Sequence, residues 1–136
     1  MDNKKFRALM TQHDGELKLN MNNIGNKSME LPELHNKYLD IYFIELKELK
    51  KVFRERSELY GDKYKHYKYF DDHKWDKKTE IETQILNDSA YLAKLKECDE
   101  LELQVKQLEK VLDNIKKTSY TIRNIVDFER FKMTGL

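Results

Sequence analysis

Four cations within two turns of a predicted helix are the first residues whose spacing could do chemistry. With Lys50 as origin and about 100° per residue, Arg54, Lys47 and Lys51 fall at about 40°, 60° and 100°. They share one face, about a quarter-turn or more from an apolar stripe centred near Phe53 and Tyr60. Arg56 falls at about 240° on the same wheel, on the apolar side. Directly after this helix, Lys63, Tyr64, Lys65, Tyr67 and Lys68 interleave cations with aromatic rings. That combination suits sequence-tolerant binding of single-stranded nucleic acid, in which cations track phosphates and ring faces stack on any base. A solvated lysine face beside tyrosines that pack a core is the competing reading of the same residues.

Other chemistry finds less support. His66, His73, Asp71, Asp72 and Asp76 are ligand types without a compact ligand spacing, so no metal and no cofactor are expected. Cys98 lies on an apolar heptad position, where a small buried hydrophobe is expected rather than a nucleophile. As a lone cysteine it excludes an intrachain disulfide and suits a reducing compartment. Glu100 and Glu102 read as a solvated helix face. The sequence contains no phosphate loop, nucleophile elbow, HExxH or CxxC. No apolar run reaches the length of a membrane span, and the first residues lack a signal peptide's apolar centre. No membrane association and a cytoplasmic location are therefore expected.

The elements that position these residues are helical. Of the 136 residues, 60 are Ala, Glu, Lys, Leu or Arg, with only four Gly and one Pro. This composition belongs to long helices and coiled coils and excludes turn-rich barrels and sandwiches. The expected fold is all-α: a helical hairpin or bundle with a long heptad-patterned C-terminal helix region, assembling into an oligomer. Charge is segregated although the total is only +1: residues 47–78 carry a net +4, residues 79–114 a net −5, and residues 115–136 a net +3.

Residues 1–30, rich in Asn and with Gly15 and Gly25, predict a weakly ordered or docking N-terminal arm. A single helical domain is expected over 31–136. Pro32 suits the first turn of a helix over 33–60, with Leu39, Tyr42, Leu46, Leu49, Phe53 and Tyr60 as its stripe and Gly61 as its stop. Residues 61–78 read as a loop or irregular helix. Thr79-Glu80-Ile81-Glu82 reads as a capping box opening a helix over 79–87, and Asn87-Asp88-Ser89 as the next cap. Helices over 89–117 and 119–131 follow, with a softening near Lys117 to Ser119. Cys98, Leu101, Val105, Leu108, Leu112, Ile115, Ser119, Ile122 and Val126 keep an unbroken 3–4 alternation, a coiled-coil seam that must be covered by another helix or another subunit. Leu101, Val105, Leu108, Leu112, Ile115, Ile122, Val126 and Phe128 are the expected oligomerisation residues.

Three blocks in order carry a family resemblance. Leu31-Pro32-Glu33-Leu34-His35-Asn36-Lys37-Tyr38-Leu39 resembles the IP-x-LH-x-KYL opening of the UvsY family of recombination mediators from T-even-type phages. Arg54-Glu55-Arg56-Ser57-Glu58-Leu59-Tyr60-Gly61 is similar to that family's basic helix ending in tyrosine and glycine, with Leu59 where a second aromatic is common. The stretch from Lys116 to Phe131, KKTSYTIRNIVDFERF, is similar to its C-terminal signature. The resemblance spans residues 31–131. It implies an all-helical, non-enzymatic protein forming a heptamer-like ring in the bacterial host cytosol during phage infection. Such a protein binds single-stranded DNA, weakens the hold of the single-strand-binding protein and loads a RecA-type recombinase. It also implies that Arg54 and Arg56 contact DNA. A coiled-coil scaffold without DNA binding is the alternative.

Overall fold

The computed structural model describes residues 1–134, so the last two residues of the expected 31–136 domain lie outside it. In chain order it contains α1 (Asn3–Glu16), α2 (Ile24–Lys65), a π-helical turn (His66–Phe70), α3 (Lys78–Leu86) and α4 (Ser89–Thr134), and no strand among the described residues. The fold is all-α, as the composition requires. The chain divides into two compact units. Unit 1 comprises Met1–Ile44 and the chain from Gln104 onward; unit 2 is Glu45–Leu103. The two long helices α2 and α4 contribute to both.

In unit 1 the residues expected as a weakly ordered or docking arm include helix α1, which packs on the core. Phe6, Met10, His13 and Leu17 recur at spacings of four, three and four, so α1 has an apolar side despite its polar average. Asp2 caps this helix, its Oδ1 accepting from the Lys4 N–H at 2.8 Å. Phe6 is buried with Leu31, Tyr38, Leu108, Val111, Ile115 and Ile122, and Leu9, Met10 and Leu17 pack against them. The asparagines that signal disorder in the sequence instead build the turn into α2. Asn23 Oδ1 accepts from the Asn20 N–H, Asn20 Oδ1 accepts from the Asn22 N–H, and Asn23 Nδ2 donates to the Lys18 carbonyl.

Helix α2 begins eight residues before Pro32 and runs through it. Proline gives no N–H to the carbonyl four residues back, a cost of about 3 kcal/mol in a helix interior. Burial of Leu31 beside it, and packing of Ile24 on the same core, oppose that loss. Gly61 likewise does not stop the helix, which continues to Lys65. Tyr60 and Tyr64, on either side of Gly61, both pack on the unit 2 core and hold the backbone helical there.

In unit 2, Ile81, Ile85 and Tyr91 form a buried cluster with Leu59, Tyr60, Tyr64, Tyr67, Trp75 and Leu95 against it. The expected capping box at Thr79 does not form. Helix α3 starts at Lys78 without a side-chain cap, and Thr79 lies inside it, its carbonyl accepting from the Thr83 hydroxyl. The cap at Asp88 is present: its Oδ1 accepts from the N–H groups of Ala90 and Tyr91 at 3.0 and 3.1 Å. Helix α4 then runs unbroken to Thr134. At the expected softening, the Thr118 and Thr121 hydroxyls bond back to the carbonyls of Asn114 and Lys117 without interrupting the helix.

Candidate nucleic-acid interface

The cations of α2 stand where the wheel puts them. Lys47, Lys50, Lys51 and Arg54 are all exposed, while Leu49 and Val52 of the same turns are buried. Alternation of this kind orients the face, because burying Leu49 and Val52 leaves the intervening side chains in water. Among the described residues Lys47, Lys50 and Arg54 make no ion pair; Lys51 lies 4.0 Å from Glu55 at the edge of the patch. Glu55 is also held by Lys94 of α4, whose Nζ donates to Glu55 Oε2 at 2.9 Å. That bond draws the Glu55 carboxyl below its ordinary range and raises the Lys94 ammonium above its own.

Arg56 differs. It is half-buried, its guanidinium 5.0 Å from the centre of the Phe53 ring, and it lies close enough to Cys98 to act on the thiol electrostatically. Cys98 itself is buried with its Sγ 3.9 Å from the Val52 carbonyl, and desolvation pushes the thiol up. A thiol so disposed packs and does not attack.

The segment after α2 divides its residues. Tyr67 turns inward and donates its hydroxyl to Asp88 Oδ2 at 2.7 Å; this bond, helped by burial, pushes the phenol up to about 12. Lys63 reaches the same carboxylate oxygen at 3.2 Å. Burial alone would raise Asp88, but the Tyr67 hydroxyl, the Tyr91 N–H and Lys63 together hold it below the usual carboxylate range. Asp88 thus caps α4 and ties down the end of α2. Tyr64 joins Tyr67 on the unit 2 core. Of the residues expected to line the interface, Tyr64 and Tyr67 therefore pack on the unit 2 core and Lys63 pairs with Asp88. Lys65 is exposed, and Lys68 lies with its Nζ 5.3 Å from the centre of the Tyr69 ring.

The expected oligomerisation residues also separate. Leu101, Val105, Leu108, Ile115 and Ile122 are buried within the single chain, and Leu112 is half-buried against the unit 1 core. Only Val126 and Phe128 face outward, joined by Tyr120, Phe131 and Met133. Val111, outside the seam, is buried in place of a fuller burial of Leu112. Among the described residues no three His, Cys, Asp or Glu side chains are grouped to hold a metal ion, and no helix is long and apolar enough to cross a membrane.

A model of the family described as "Recombination, repair and ssDNA binding protein UvsY" matches residues 12–135, nearly the whole chain. The chain belongs to the UvsY family. Solved structures agree on the fold. Two crystal structures of the bacteriophage T4 recombination mediator protein UvsY superpose with TM-scores of 0.82 and 0.80. Each is 16% identical, covering 93% of this chain and 97% and 96% of the T4 chain respectively. No characterised protein in the curated collection matches the sequence. Membership in the UvsY family implies a role in recombination and repair that involves single-stranded DNA.

Proposed function

We propose that this protein is a non-enzymatic recombination mediator that works in the bacterial host cytosol during phage infection. It binds single-stranded DNA, weakens the hold of the single-strand-binding protein on that DNA, and loads a RecA-type recombinase. The observation that carries the reading is the exposed cationic face of α2, Lys47, Lys50, Lys51 and Arg54, in a chain that matches the UvsY family over residues 12–135. A face of four cations supplies phosphate contacts without base recognition, as a factor acting on any sequence requires.

One such patch binds feebly, and a homo-oligomeric ring that repeats it gains by avidity. The outward apolar residues at the end of α4, Val126 and Phe128 with Phe131, support this assembly, because rings of that size left in water favour a second copy's surface. The buried members of the seam contribute by holding the helix that presents them.

Arg54→Ala tests the reading. Arg54 is exposed and makes no ion pair among the described residues, so helicity and mass should be unchanged while affinity for single-stranded DNA falls in every engaged subunit. The parent's log–log salt slope should be about −2 to −3 per engaged subunit, as for three to four phosphates on a single strand. Recombinase loading onto DNA coated with single-strand-binding protein should fall with the affinity. A parent slope near zero, or an Arg54→Ala protein that binds as tightly as the parent at moderate salt, overturns the assignment. Arg56→Ala should act differently, lowering thermal stability through lost packing on Phe53.

A further inference from the structure

The π-helical turn presents two aromatic rings that the fold does not use. Tyr69 is 58% exposed and Phe70 76% exposed, although Tyr64 and Tyr67 just before them are packed inward. The turn is held in this register by its own bonds. The Asp71 N–H donates to the His66 carbonyl at 2.7 Å, and the Trp75 N–H donates to the Tyr67 carbonyl at 3.0 Å. Trp75 Nε1 reaches Asp71 Oδ2 at 3.3 Å, and the Tyr67 hydroxyl is fastened to Asp88. Single π-turns widen the helix by one residue and so change which side chains face out. With Tyr67 fixed inside, Tyr69 and Phe70 stand in water on a braced backbone.

Cations flank them, and of the two acids that follow, Asp71 is engaged by His66 and by Trp75 Nε1 while Asp72 is exposed. Lys65 falls at about 60° on the wheel used for α2, on the same side as Lys47 and Arg54, and Tyr69 follows Lys65 by close to one turn. Lys68 lies against the Tyr69 ring, and Lys74 is exposed just after the following bend. Glu58 and Asp62 lie between this group and the four cations upstream, so the two groups are separate stations along one helix. Exposed rings beside lysines match an unpaired nucleobase with its phosphate, since the ring face needs a flat apolar partner and the ammonium an anion.

We infer that Tyr69 and Phe70 form a base-stacking station for single-stranded nucleic acid, with Lys65 and Lys68 on the adjoining phosphates. The inference rests on the single-strand reading above and adds to it a contact that the α2 cations cannot make. Cations alone grip a backbone with or without bases, whereas a stacking station requires the bases.

The test compares two oligonucleotides of equal length, oligothymidylate and an abasic tetrahydrofuran-phosphate backbone, by fluorescence anisotropy at one moderate salt concentration. The full-length parent should bind the thymidylate at least about fivefold tighter, the least expected from one stacked base. The double variant Tyr69→Ala/Phe70→Ala should lose that preference and keep the parent's affinity for the abasic backbone. Both side chains are exposed, so its helicity and melting temperature should equal the parent's, and Phe70→Trp should retain the preference. A parent that binds both oligonucleotides equally overturns the station and leaves the cationic face standing. A double variant that keeps the preference overturns it too, by putting the stacking elsewhere. A parent that binds neither oligonucleotide overturns the single-strand reading itself.

Discussion

From Cys98 to Ile115, α4 buries Cys98, Leu101, Val105, Leu108, Val111 and Ile115; from Tyr120 to Met133 the same helix buries Ile122 alone. The apolar spacing continues through both stretches, yet Phe128, Phe131 and Met133 remain 60%, 58% and 85% exposed. The difference lies in what is available to cover them. The first stretch has partners in its own chain: Val52 beside Cys98 in unit 2, and Phe6, Leu31 and Tyr38 around Leu108 and Ile115 in unit 1. Heptad spacing therefore reports a face that must be covered, and whether the chain itself supplies the cover is a separate question. The first stretch builds the core of the chain, and the second presents the apolar side chains on which the proposed assembly rests.

Substitutions along α4 separate these uses. Leu108→Asp should have the largest effect, because Leu108 is fully buried and an unpaired carboxylate there costs about 4 kcal/mol or more. Urea titration followed by circular dichroism should find this variant largely unfolded. Leu112→Asp, at a half-buried position, should cost about 2 kcal/mol, lowering the urea midpoint while leaving a folded chain. A Leu112→Asp protein with the parent's mass and midpoint would place that side chain outside any core. Phe128→Asp should shift the midpoint by less than about 0.5 kcal/mol, as an exposed change does, and reduce the mass seen by light scattering. If the mass stays that of the parent, the outward end of α4 is not the assembly surface.

The smallest effect should come from pH. His13 of α1 is buried edge-on to Tyr38, with its Nδ1 unpartnered, and burial lowers its pKa despite the opposing pull of Glu16 and Asp14. A histidine kept neutral by the fold contributes stability that is complete above its ordinary pKa of 6.5 and is lost as pH falls below it. The urea midpoint should decline below pH 6.5, and His13→Phe should flatten that decline. An unchanged decline in His13→Phe would assign it to the carboxylates.

Much of the fold and of the candidate interface was legible because both depend on local periodicity. The all-α class follows from composition, the start of α4 from Asp88, and the exposed face of Lys47, Lys50, Lys51 and Arg54 from the wheel. Helix α1 was equally present in the spacing of Phe6, Met10, His13 and Leu17, but its polar average and the following asparagines obscured it. The roles of Lys63, Tyr64 and Tyr67 could not be read in the same way. A tyrosine that stacks on a base and one that donates to Asp88 have the same local sequence, and Asp88 is 21 residues away from Tyr67.

The sequence by itself determined which faces of the helices are apolar, which are cationic, and that the fold is all-α, since these follow from composition and from side-chain chemistry repeated every three to four residues. It also carried the family, through three blocks of residues in order. Only the tertiary structure decided which apolar faces meet inside one chain. It carried α2 through Pro32 and Gly61 because distant side chains packed there outweigh the local cost, and it turned Tyr67 inward while leaving Tyr69 and Phe70 in water. Those outcomes depend on contacts between residues far apart in the chain, which no local pattern encodes.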